Sequence, residues 1–155
     1  MADTKIFFDN ASTTKVDPRV LEDMIPYFSQ HYGNPSSLHD FGDAAHGALD
    51  NARNQVASLI NADDEEIYFT SCGTESNNLA LWGLTRASKK KSGHIITSVI
   101  EHQSIINPLK DIRKEGWEIT HIGVDSNGSV NPDLIKKAIT DDTVLISIMH
   151  ANNEV

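Results

Sequence analysis

The chain has 155 residues, 39% of them hydrophobic and 23% charged, which is the balance of a folded domain and not of a disordered tail or low-complexity linker. Thirteen Lys and Arg against 22 Asp and Glu leave a formal charge of −9. Such a field repels phosphate backbones and anionic bilayers and sets nucleic-acid and membrane binding aside, although a helix end can still hold a small phosphate group locally. A single cysteine, Cys72, excludes an internal disulfide framework and any multi-thiolate zinc or iron–sulfur cage.

The first residues, Met1-Ala2-Asp3-Thr4-Lys5, lack the basic start and apolar run of a signal peptide. The most apolar stretch, Val144 to Met149, is interrupted by Ser147 and is too short to span a bilayer. A soluble protein of a reducing, cytoplasmic compartment is expected. After a short apolar run at 6–8, Asp17-Pro18 reads as an N-cap followed by proline at the first helical position. Turn residues Gly33-Asn34-Pro35-Ser36-Ser37 lead to a second helix. In it Leu38, Phe41, Ala45, Leu49, Ala52, Val56 and Leu59 recur every three or four residues, which predicts one buried helical face.

Residues 67–70 are β-prone and read as a short strand, followed through a Gly-containing turn by a helix carrying Leu79, Trp82 and Leu84. Lys89-Lys90-Lys91 is expected to close that helix as solvated surface. A strand at 94–98, a helix at 104–114, a strand at 117–122, a short helix capped by Asn131-Pro132 and a strand at 143–149 complete the pattern. Strands alternating with helices predict an α/β fold with a mainly parallel sheet and flanking helices, without an internal repeat or dividing linker. Residues 1–60 read as an N-terminal arm with helices, and 61–155 as the βα units. The last strand is followed only by Ala151-Asn152-Asn153-Glu154-Val155, with no covering helix. The expectation is that a second polypeptide or missing sequence supplies that cover.

Three places can carry chemistry. Thr70-Ser71-Cys72-Gly73-Thr74-Glu75-Ser76-Asn77-Asn78 lies between a predicted strand and a helix, where free N–H groups and the dipole attract an anion. Gly73 allows close backbone approach and Thr74 adds a hydroxyl. Plain N-capping by Ser and Thr is the competing reading. Glu101-His102 follows the strand at 94–98; the other six histidines read as surface or capping residues. Asn152-Asn153 follows the last strand and also suits an ordinary turn. Thr74, His102 and Asn153 thus each sit beyond the C-terminal end of a predicted strand, where open α/β sheets bind ligands. No GxGxxG or Walker loop is present, which argues against dinucleotides and P-loop nucleotides.

These blocks, in this order, carry a resemblance. The chain resembles the N-terminal part of NifS/IscS-type cysteine desulfurases, class V aminotransferase-like enzymes of fold type I that use pyridoxal 5′-phosphate (PLP). The resemblance rests on Phe8-Asp9-Asn10-Ala11-Ser12-Thr13-Thr14, on Gly33-Asn34-Pro35-Ser36-Ser37 with His39 and Gly42, and on Thr70 to Asn78. It continues through His94-Ile95-Ile96-Thr97-Ser98 with Glu101-His102 to Ser147-Ile148-Met149-His150-Ala151-Asn152-Asn153-Glu154. It implies the first part of the PLP-binding large domain, incomplete on its own. It implies Gly73 and Thr74 at the cofactor phosphate, His102 stacked on the pyridine ring as a proton shuttle, and Asn153 at the phenolic oxygen.

The implied reaction converts L-cysteine to L-alanine and an enzyme persulfide that feeds iron–sulfur cluster assembly or thiolation through a scaffold or acceptor protein. In family order the Schiff-base lysine, the aspartate facing the pyridine nitrogen, the persulfide cysteine and the substrate-carboxylate arginine all fall after Val155. Cys72 lies in the phosphate loop and is rejected as the sulfur carrier. The resemblance therefore implies a split or incomplete enzyme, inactive alone, that works as a dimer of complete units. A selenocysteine lyase, a transaminase of the same class, and a non-catalytic module docking on a desulfurase are the alternatives.

Overall fold

The computed structural model describes residues 6–88 and 92–155. The N-terminal five residues and Lys89-Lys90-Lys91, on which two of the sequence expectations fall, lie outside the described residues. The chain divides into two compact units, Met1–Phe69 and Thr70–Val155.

In the first unit, helix α1 (Pro18–Ser29) starts as expected, with Asp17 accepting from the Arg19 N–H as N-cap and proline in the first turn. Helix α2 (Asp40–Ile60) is capped by His39, whose Nδ1 accepts from Gly42 N–H at 3.3 Å, and it ends on Asn61 in the left-handed region at φ 55°. Gly42 is needed for contact, because a Cβ there would lie 2.1 Å from the Ser37 carbonyl oxygen.

The periodic face of α2 is not buried as predicted. Ala45 and Ala57 are covered, whereas Phe41, Leu49, Val56 and Leu59 are exposed. Periodicity states which face a partner would cover, but α2 packs mainly on a single 3₁₀ turn (Asp64–Glu66), too small to cover it.

Residues 67–70 do not form the predicted strand. Ile67 is extended (φ −94°, ψ 122°), but its carbonyl is taken by the Arg53 guanidinium and not by a neighbouring strand. β-propensity needs a ladder to act on, and no described strand pairs with residues 67–70.

The second unit is an α/β layer. Strand β1 (His94–Ser98) lies between β2 (Glu118–Ile122) and β3 (Thr143–Ser147) in the order β2-β1-β3, with both pairings parallel. Helices α3 (Gly73–Ala87), α4 (Gln103–Lys114) and α5 (Pro132–Ala138) complete the alternation. All five residues of β1 are buried, the signature of a central parallel strand covered on both faces. Leu81 from α3, Ile105, Leu109 and Ile112 from α4, and Ile95, Trp117 and Ile119 close the core.

One histidine departs from the surface reading. His94 is 2% exposed, its Nδ1 2.9 Å from Thr143 Oγ1 and its Nε2 2.8 Å from Thr120 Oγ1. It therefore ties the amino end of the central strand to both flanking strands, which a lone histidine in sequence gives no means of seeing. Ile112 is fully buried at the centre of the core, so Ile112→Ala should destabilise the fold by about 2–5 kcal/mol in urea unfolding. A loss well under 1 kcal/mol would show that α4 does not pack as described.

Candidate active site

Helix α3 begins at Gly73 with Cys72 at its N-cap in extended geometry. The first-turn N–H groups of a helix have no intrahelical acceptor and carry the positive end of its dipole. Thr70 Oγ1 meets Ser76 Oγ at 2.5 Å, and the Glu75 carboxylate turns back to accept from Ser71 N–H at 2.7 Å and Ser71 Oγ at 2.6 Å. The Ser71 hydroxyl, then its backbone N–H, hold Glu75 below the usual glutamate range, and its charge is directed at Ser71. A Cβ on Gly73 would meet nothing within 4 Å, so the approach to this helix start is open.

The Cys72 thiol is exposed and lies below its ordinary value, chiefly through the Glu75 backbone N–H and next through the Ser71 hydroxyl, whose oxygen is 3.8 Å from the sulfur.

His102 caps α4 from the loop after β1. Its Nδ1 accepts from Ser104 N–H at 3.1 Å and lies 2.8 Å from Ser104 Oγ, which itself receives Asn77 Nδ2 at 2.7 Å. An imidazole that accepts a backbone N–H at Nδ1 carries its proton on Nε2, so the cap selects the tautomer. Ser104 was not among the sequence candidates, and Asn77 entered only as part of the block Thr70 to Asn78, without a role of its own. Ser104 occupies a helix-start position that looks like routine capping, and Asn77 reaches it only because α3 packs on α4.

Thr74 and His102 line one cavity of about 390 Å³ together with Asn78, Trp82, Ser104 and Asn107. Thr74 does not follow a strand, contrary to expectation, since residues 67–70 are not one; it reaches this cavity as part of α3. Gly73 and Asn153 do not line it. Asn153 is exposed in the segment after β3, six residues beyond the strand end at Ser147. The structure thus joins two of the four expected residues directly, places Gly73 next to one of them, and sets Asn153 beyond the carboxyl end of a neighbouring parallel strand.

The residues fit a flat phosphorylated ring. The cavity brings the Thr74 hydroxyl of a helix's first turn and an imidazole of defined tautomer to the same space, with Trp82 and Pro108 as apolar lining and one carboxylate, Asp111, among the lining residues. Alkylation of Cys72 by iodoacetamide should rise with pH along a curve whose midpoint lies below 9.0, because the surrounding donors favour the thiolate. A midpoint at or above 9.0 would mean that these donors do not act on the sulfur.

With this geometry in place, the comparisons with known proteins are specific. The model of the aminotransferase class-V family matches residues 6–155. Cysteine desulfurase IscS 1 of Archaeoglobus fulgidus is 47% identical over 149 residues, which cover 96% of this chain and 39% of that protein. Cysteine desulfurase IscS of Clostridium botulinum is 46% identical over 151 residues, covering 97% of this chain and 38% of that protein. Among solved structures, a NifS-like protein superposes with a TM-score of 0.93 at 41% identity, covering 98% of this chain and 42% of the other. SspA, solved in complex with cysteine, gives a TM-score of 0.91 at 37% identity over 96% of this chain and 43% of its own.

The chain thus spans about 40% of the length of the relatives it matches. The parallel α/β layer is that of the fold-type I, PLP-dependent proteins. This chain belongs to the class-V aminotransferase family, and the curated relatives it matches are cysteine desulfurases.

Proposed function

We propose that this chain is the amino-terminal part of a PLP-dependent cysteine desulfurase that converts L-cysteine to L-alanine and leaves the sulfur as an enzyme persulfide. The observation that carries the reading is the shared cavity of Thr74 and His102 in a chain 47% identical to a desulfurase. PLP, when bound, supplies the electron sink that makes the substrate's Cα proton removable.

This chain's residues bind and orient. The start of α3 at Gly73 and the Thr74 hydroxyl hold the phosphate, since a dianion at a helix N-terminus is favoured by both hydrogen bonds and dipole. His102 would lie against the ring, and because the Ser104 N–H donates to its Nδ1, the N–H on Nε2 is the group it would present to the ligand as a donor. Asn153 would hold the cofactor through its side-chain amide. The Schiff-base lysine and the persulfide cysteine belong to the length of the family that this chain does not span; a second polypeptide or further sequence supplies them. The chain alone does not turn over cysteine, and the complete unit is a cytoplasmic dimer that passes its sulfur to an iron–sulfur scaffold or other acceptor.

Borohydride treatment of this chain with PLP should leave no cofactor fixed to one specific lysine. A single labelled lysine, located by peptide mass spectrometry, would overturn the missing-half reading. In the complete enzyme, His102→Ala should weaken PLP retention and slow alanine formation by roughly 10²-fold or more, the usual scale for a positioned proton-transfer group. Wild-type rates would remove His102 from the site. Cys72→Ser should leave persulfide formation nearly intact, and its abolition would make Cys72 the sulfur carrier.

A further inference from the structure

We infer that Glu101 and Asn152 are positioning residues that form a two-way strap between the loop after β1 and the segment after β3, and that this strap presents His102 and Asn153 to one ligand. The identity of the ligand rests on the cofactor reading above; the strap rests on geometry alone. Residues 99–102 and 148–155 contain no helix or strand, and the Val99 N–H on the Ile122 carbonyl at 3.0 Å is a last backbone bond to the sheet from the first of them. Segments of that kind open locally at low cost unless side chains tie them down.

The ties run in both directions. Glu101 is only 6% exposed, and its Oε1 accepts from Ser98 Oγ at 2.7 Å and from the Met149 N–H at 2.9 Å. Burying a carboxylate is costly unless hydrogen bonds replace its water, so this side chain is committed to those two donors. In return, Asn152 Nδ2 donates to the Ile100 carbonyl at 2.7 Å, while its Oδ1 accepts from Glu154 N–H at 2.6 Å and Val155 N–H at 3.0 Å. Each loop therefore sends one side chain to the backbone of the other.

The register of these ties is the telling feature. Glu101 immediately precedes His102, and Asn152 immediately precedes Asn153. The next residue after each tie is a proposed cofactor contact, so the separation of the two contacts is set by the strap and not by either loop alone. A site held to a fraction of an ångström needs such a supporting layer of hydrogen bonds.

Amide hydrogen exchange on this chain reads the strap without reference to activity. Glu101→Ala should speed exchange across 148–155 about tenfold, the scale of one buried hydrogen bond lost, and Glu101→Gln, which keeps an acceptor oxygen, should restore most of the protection. Asn152→Ala, at a half-buried position, breaks the other tie should Glu101→Ala fail to fold. In the holoenzyme, PLP dissociation constants for Glu101→Ala, Asn153→Ala and the double variant complete the test. Each single variant should hold PLP more weakly, and the loss in the double variant should be smaller than the sum of the two single losses.

Unchanged exchange in both Glu101→Ala and Asn152→Ala would overturn the strap. Faster exchange with fully additive losses of PLP would overturn its presenting role. Normal PLP retention in both His102→Ala and Asn153→Ala would instead overturn the cofactor reading, and exchange alone would then decide the strap.

Discussion

The ladder on both sides of β1 is the constraint from which the rest of the C-terminal unit follows. A strand paired in parallel to two neighbours has no edge, and each neighbour must be reached by a crossover that returns to the same end of the sheet. The loops leaving β1, β2 and β3 therefore gather on one rim. The loop that carries His102 and the segment that carries Asn153 are two of these. Burial of every residue of β1 makes the strand rigid, and its amino end is held by His94 between hydroxyls of both flanking strands. Chemistry at the carboxyl end thus rests on a sheet clamped at the other.

On that rim, hydrogen bonding fixes the chemical state of the groups as well as their positions. The cap on α4 takes Nδ1 of His102 and leaves the proton on Nε2, so structural and chemical duties fall on opposite nitrogens of one ring. At the start of α3, the Glu75 carboxylate is turned back onto Ser71 instead of standing over the helix end. An acid in the first turn would otherwise compete with a phosphate for the same dipole.

Much of this was legible beforehand. The helix starts at Asp17-Pro18 and Asn131-Pro132 carry local capping signals that act within a few residues, and both hold. The strand at 94–98 was readable because its interior, Ile95-Ile96-Thr97, is entirely β-branched. The strand expected at 67–70 failed because strand formation is settled by a partner, and propensity contains no information about one. For the same reason the apolar face of α2 was visible while its burial was not. Of the site, His102 stood out by residue type and position after a strand. Ser104 and Asn77 did not, since their role comes from the packing of α3 on α4.

The sequence by itself determined the α/β alternation, the capped helix ends, the candidate residues and, through its ordered blocks, the family. These are properties of spacing and residue type along the chain. Only the tertiary structure decided that Thr74 and His102 share a cavity, which nitrogen of His102 is committed to the cap, and that Glu101 and Asn152 reach across to each other's loops. The shared cavity and the crossed ties join residues distant in sequence, which only the packed sheet and its crossovers bring together, whereas the His102 cap is a contact over two residues whose ring orientation only the folded loop shows.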